Sequence, residues 1–149
     1  MNLDTSGSHV PGFPRRLAAM LYDAILLFGM LLLAVTLVVV PYVELIGPEF
    51  PHKHWLYRLY LSTVAGGFYL YFWVRGGQTL GMRAWRIRLV RDDGLGLSTA
   101  DALRRLVWAT LTLAPAGVGL LWMLADRQRL TLYDRLSRTR PVLLGKRPQ

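Results

Sequence analysis

The sequence contains no cysteine, which excludes a disulfide framework, a thiolate metal site and a cysteine nucleophile. Acidic residues are scarce as well: Asp and Glu number 9 against 18 Lys and Arg, a formal net charge of +9. Charged residues make up 18% of the chain and apolar ones 53%, with a mean hydropathy of +0.31. Soluble domains run near ~45–50% apolar and ~25% charged, so both departures point toward lipid. P-loop, Gly-x-Ser-x-Gly, His-Glu-x-x-His and Cys-x-x-Cys patterns are missing, and no nucleophile stands beside a base, so neither an enzyme nor a cofactor is expected. His52 and His54 flank Lys53 with no further His or Cys nearby to complete a metal site, and are read as loop histidines. In a soluble chain the basic surplus would suggest nucleic acid. Here the arginines lie in blocks between apolar runs, so anionic lipid head groups are the expected partner and nucleic acid is not.

What the chain has in quantity is uninterrupted apolar sequence, within a length (149 residues) that makes one domain. Leu17 to Val40 is 24 residues with a single charge, Asp23; a span needs ~20, and Pro41 is expected to end the helix. The run exceeds the ~7–15 residues of a signal-peptide core and no small-residue cleavage site follows it, so a retained helix is expected. Leu59 to Val74 is 16 uncharged residues; extended back to Trp55 it makes a second span, with Arg58 snorkelling to the surface. Gly66 and Gly67 form a small-residue patch where another helix, including one from a second copy, can approach. Trp55, Tyr57 and Tyr60 at one end and Tyr69, Tyr71 and Trp73 at the other suit interfacial belts. A third run, Leu106 to Ala125, has 20 uncharged residues but is interrupted by APAGVG at 114–119. Helices are therefore expected over about 15–40, 55–74 and 98–125, after a flexible segment 1–14.

The basic blocks assign sides. Arg15 and Arg16 precede the first run, seven arginines lie in the 75–105 connection, and the tail after Ala125 is basic, whereas the 41–58 connection mixes Lys53 and Arg58 with Glu44 and Glu49. The positive-inside rule puts the amino end, the 75–105 connection and the tail in the cytoplasm. Three full crossings would leave the tail outside. Either the third run spans with a proline kink and the rule fails at the tail, or it re-enters, turning at Ala114-Pro115-Ala116-Gly117, with the freed backbone covered by the first two helices. The tail's charge favours re-entry.

The cytoplasmic connection carries a small β element over 83–97. WRIRLV (85–90) alternates apolar and basic residues as a half-buried strand does, RDDG (91–94) is a turn signal, and Ser98 with Asp101 three residues on marks a helix start. RTRPVLL (138–144), in the basic segment 126–149, is a second short strand candidate that Pro141 would confine to an edge; an irregular tail on lipid head groups is the alternative. Pairing of the two strands would put both on one side.

Arg16 and Asp23 are seven apart, hence on one helix face and about 10 Å along the axis. A carboxylate below the membrane surface is costly and is normally paired or faces a water-filled path. Asp23 is thus either a cation or proton ligand, or a structural anchor paired with an arginine or capping a turn. In the tail, Asp126 and Asp134 sit among arginines; Asp134 can return to the mouth of the first helix, or both can form ordinary solvated ion pairs.

Arg16 with Ala19 and Asp23, then GGQTLGMRAWRIRLVRDDG (76–94), then LTLYDRLSRTRPV (130–142) resemble the RDD family of small bacterial membrane proteins, over about residues 12 to 144. The resemblance identifies Arg16, Asp23 and Asp134 with the arginine and two aspartates that name the family, and makes the RDD string at 91–93 a turn only. Tyr133 stands where members often have histidine, and Met82 where a lysine often follows the glycine. The resemblance implies an all-α polytopic protein of the bacterial inner membrane: two transmembrane helices, a third apolar helix that re-enters or spans, and the small cytoplasmic β element. It also implies participation in transport, including cation/proton exchange proposed for some members, with Asp23 the ion-binding group, Arg16 beside it and Asp134 gating. Three segments are few for a transporter, so a homo-oligomer is expected with it. The alternatives are a non-transporting accessory protein in which the same residues form a folding clasp, and anionic-lipid binding.

Overall fold

The structure, a computed structural model, describes residues 9–113 and 117–145. Its first helix, α1 (Phe13–Leu45), is 33 residues long, about 50 Å at ~1.5 Å per residue. Pro14 lies in its first turn, where a missing N–H is harmless. Pro41, expected to end the helix, sits inside it instead, and α1 runs on until Ile46 N–H bonds Tyr42 O. One proline removes one ladder bond, and one turn from the end that loss does not unwind the helix.

The burial of α1 is inverted relative to a soluble helix. Its buried residues are Arg16, Ala19, Asp23 and Ala34, while Leu21, Phe28, Leu33 and Leu37 stay exposed and Ile25 is 73% exposed. Large apolar side chains turned outward around a polar stripe turned inward describe a helix whose solvent is lipid. Among the described residues α1 is the one helix that is by itself long and apolar enough to cross a membrane.

The second helix, α2 (Trp55–Gly76), begins at an N-cap supplied by His54, whose Nδ1 accepts from Leu56 N–H, and ends at Gly77 in the left-handed region (φ 66°). So His54 works as a cap. Tyr60 OH donates to Ala34 O of α1 (3.2 Å). A Cβ on Gly66 would meet the Leu106 side chain at 3.2 Å, whereas Gly67 faces open space; of the glycine pair, Gly66 serves packing within the chain.

After α2 come α3 (Leu80–Ala84), β1 (Ile87–Arg91), α4 (Thr99–Leu113), α5 (Val118–Ala125), α6 (Leu132–Ser137) and β2 (Thr139–Leu143), of which α3, β1, α6 and β2 form a compact cap. Ser98 and Asp101 form the expected start of α4, each backbone N–H bonded to the other's side chain. The RDDG stretch is a turn: Gly94 N–H bonds Arg91 O, and Arg91 pairs with Asp93. β1 and β2 pair antiparallel, with Leu89 opposite Pro141; the Leu89 N–H goes to Gly77 O (2.7 Å) and ties the sheet to the end of α2. In a two-stranded sheet both strands are edges, which is where Pro141 is tolerated. The apolar core, Trp73, Leu89, Leu97 and Ala102 with Tyr69, Met82 and Leu106 around it, lies where α2, β1 and α4 meet.

The single helix expected over 98–125 is two helices, α4 and α5, bent by 91°; of the turn expected at 114–117, residues 114–116 lie outside the described residues and Gly117 is in the left-handed region (φ 74°). The chain that leaves the cap through α4 is back beside it at α6, where Arg104 of α4 donates to Ser137 O (2.8 Å). The amino end is there too: Leu143 N–H of β2 bonds His9 O (3.1 Å). The first and last described segments of the chain therefore lie together at one end of α1, as the re-entrant reading requires. The basic tail contains α6, too short to carry a periodic signal, and β2, which is the strand expected over 138–144 and pairs with β1.

Candidate functional site: a buried arginine–aspartate centre

Asp134 is placed by its own helix start. Thr131 caps α6: its hydroxyl accepts from Asp134 N–H (3.2 Å), while Thr131 N–H donates to Asp134 Oδ2 (3.0 Å), a reciprocal capping box. The carboxylate then points into the molecule, where Asp134 is 1% exposed. Arg16 Nη1 of α1 donates to Oδ2 at 2.6 Å, and Arg105 Nη2 of α4 stands 2.7 Å from Oδ1. Arg16 also donates to Pro11 O and Arg129 O. Arg105 donates to Thr139 Oγ1 (2.6 Å) of β2 and lies over the rings of Trp73 and Tyr133, 5.4 and 5.0 Å from their centroids. One buried carboxylate thus joins α1, α4, α6 and, through Arg105, β2.

Burial by itself would raise the pKa of Asp134, but the charges of Arg105 and Arg16 and the Thr131 N–H outweigh it and hold the carboxyl below its usual range. A group whose pKa is lower folded than unfolded contributes its stability fully above the unfolded value, ~3.9, and loses it as pH falls through the folded one. The unfolding midpoint in detergent is therefore expected to show no Asp134-dependent change from about pH 8 to pH 5, with an acid limb below about pH 4 that Asp134→Asn removes. A midpoint step near pH 6 that vanishes in Asp134→Asn would contradict this charge assignment.

Asp23 belongs to a different set of contacts. Its Oδ2 accepts from the Thr79 hydroxyl (2.5 Å) and its Oδ1 from Gly81 N–H (2.8 Å). Thr79 Oγ1 in turn accepts from Met82 N–H, so Asp23 and Thr79 together start α3. The fit requires glycine at 81, because a Cβ there would run into the Ala19 carbonyl oxygen and the Asp23 carboxyl. Sequence spacing put Arg16 and Asp23 on one face, and both are buried there; but Arg16 bonds Asp134, and Asp23 bonds the 79–81 backbone turn. Asp126 is a local partner, paired with Arg135 at the surface at 2.5 Å, of the kind worth little to stability.

The residue that sequence reasoning missed is Arg105. A signal was present: Ala102, Arg105, Leu106 and Ala109 fall at the i, i+3, i+4, i+7 positions of α4, so Arg105 interrupts an apolar stripe while its neighbour Arg104 points away. Beside Asp23 lies a cavity of about 170 Å³, also bordered by Met20, Tyr69, Trp73, Thr79, Arg105 and Tyr133. Trp73 Nε1 and Arg105 Nε, both buried, have no hydrogen-bond partner. Met82 packs against the apolar core.

Among the described residues no cluster of His, Asp or Glu is arranged to hold a metal. Comparison with curated proteins finds no match, and comparison with solved structures finds none either. The family model described as RDD family matches residues 10–138, a stretch that contains Arg16, Asp23, Arg105 and Asp134. With that match over most of its length, and with α1 built to face lipid, the chain belongs to the RDD family of membrane proteins.

Proposed function

We propose that this chain is a multi-pass protein of the bacterial cytoplasmic membrane whose buried arginine–aspartate centre is a folding clasp. α1 and α2 cross the bilayer, α4 and α5 re-enter it from the cytoplasm, and Arg16, Arg105 and Asp134 hold the ends of these elements together beneath the cap. The role is structural or accessory. One observation carries the reading: both oxygens of Asp134 and both of Asp23 are already committed to partners within the chain. Two guanidinium groups close in on Asp134, and the bonds of Asp23 tie it to the start of α3, an arrangement that suits anchors better than exchangeable ion ligands. The distribution of arginines supports a cytoplasmic cap.

The second reading is transport through Asp23, and the cavity beside it, with two unpartnered buried donors, favours that one. The two readings part on Asp23→Asn. An asparagine cannot accept from both Thr79 and Gly81, and leaving one buried donor unpaired costs roughly 1–3 kcal/mol. The clasp expects a lowered unfolding midpoint and no proton-coupled cation flux from wild-type proteoliposomes above that of empty vesicles. It also expects reporter fusions at both chain ends to read cytoplasmic. Wild-type flux abolished by a normally folded Asp23→Asn protein would overturn it in favour of transport, and a periplasmic carboxyl terminus would overturn the re-entrant arrangement.

A further inference from the structure

Four arginines outside the clasp gather around an open groove of about 570 Å³: Arg75 from the last turn of α2, Arg83 from α3, Arg86 from the turn that follows and Arg88 from β1. Among the described residues none of the four pairs with a carboxylate; Arg75 donates only to Tyr71 OH, at 3.3 Å. Arg86 takes a left-handed conformation (φ 57°) without being glycine, a conformation that disfavours side chains, and its carbonyl is held there by Leu144 N–H (2.9 Å). Four like charges around one hollow repel each other unless an anion joins them, and guanidinium groups match phosphate oxygens in fork geometry.

The rest of the groove says what kind of phosphate. Its other walls are Tyr71, Phe72, Leu144, Gly76 and Gln78, whose amide donates to Ile87 O (2.7 Å), and it shares Arg86 and Leu144 with a second hollow bordered by Arg15 and Trp85. Trp85 is half-exposed, and Tyr71 and the end of α2 lie where that helix leaves the lipid. This level follows from the placement of α1 and α2 in the bilayer and not from the clasp. Basic residues in a hollow at the membrane surface, with an apolar lip turned toward the acyl chains, are suited to a phospholipid rather than a soluble ion.

We infer that this groove is a binding site for the phosphate head group of an anionic phospholipid. Arg83 and Arg86 hold the phosphate, Arg75 and Arg88 flank it, and Tyr71, Phe72 and Leu144 receive the start of the acyl chains. The site is distinct from a diffuse basic surface because its four cations come from four consecutive segments of the chain to line one groove.

Native mass spectrometry of the full chain in a neutral detergent, with dioleoylphosphatidylglycerol or dioleoylphosphatidylcholine added, tests it. Wild type is expected to bind the anionic lipid at least tenfold more tightly than the zwitterionic one. Arg83→Gln with Arg86→Gln should abolish that preference, while the equal charge loss of Arg127→Gln with Arg135→Gln, outside the groove, should leave it within about twofold; the scale is roughly fivefold per arginine near a lipid phosphate. Equal losses in both double variants, or no preference in wild type, would overturn the site; the wild-type comparison does so even if the groove variant misfolds. Displacement of the lipid by millimolar inorganic phosphate would show a soluble anion as the ligand and overturn the lipid assignment. The wild-type preference is read whether or not Asp134 proves to be a clasp, so the two proposals fail separately.

Discussion

Replacing Asp134 with asparagine is expected to lower the unfolding midpoint in detergent by about 10 °C, the largest effect of any single charge change in the chain. The loss follows from what remains. Among the described residues Asp134 is the one carboxylate in contact with both buried guanidinium groups, Arg16 and Arg105. Its neutralisation leaves two buried cations facing each other without compensation, a situation that costs roughly 3–5 kcal/mol, and about 2–4 °C follow each kcal/mol in a domain of this size. Arg16→Gln is milder, since Arg105 and Asp134 remain as a pair. The diagnostic measurement is the double variant. Arg16→Gln added to Asp134→Asn removes one of the stranded charges and is expected to recover part of the lost midpoint, so the two changes together cost less than their sum. Strict additivity would mean the three side chains do not act as a unit, and an unchanged midpoint in Asp134→Asn would remove the clasp altogether.

Gly81→Ala is expected to destabilise by about 3 kcal/mol or more, a larger penalty than overpacking usually imposes. The obstacle is the Ala19 backbone carbonyl of α1, which cannot swing away as a side-chain tip can, together with the Asp23 carboxyl. To make room α3 must lift off α1, and both hydrogen bonds that Asp23 accepts are then lost. The readout is the protein level in membranes and the midpoint after extraction. The matched control is Gly67→Ala, where a Cβ meets nothing within 4 Å and a helix interior gains roughly 1 kcal/mol from alanine. If Gly81→Ala behaves like Gly67→Ala, α3 is not seated on α1 as described. A change in oligomer size confined to Gly67→Ala would instead mark that glycine as a contact between copies.

The sequence was readable where one physical signal acts over many residues. α1 and α2 were located by hydropathy, β1 by its two-residue period, the start of α4 by the Ser98–Asp101 spacing, and the 91–94 turn by its glycine. It was unreadable where a short element exists only because distant residues complete it. α3 has five residues and α6 has six, both too short for periodicity to reveal; α3 begins where it does because Asp23, 58 residues earlier, accepts its Gly81 N–H. Pro41 misled because the rule that proline breaks helices weakens within a turn of a helix end.

The solvent of this protein was determined by the sequence alone. A 24-residue run with one charge, in a chain with few carboxylates and no cysteine, can be stable only where lipid covers it. Which charges meet was decided by the tertiary structure. A carboxylate's preference for a guanidinium is the same for every arginine along the chain, and only the return of α6 to the base of α1, with α4 laid alongside, selected Arg16 and Arg105 for Asp134 and left Asp23 to a threonine and a backbone N–H.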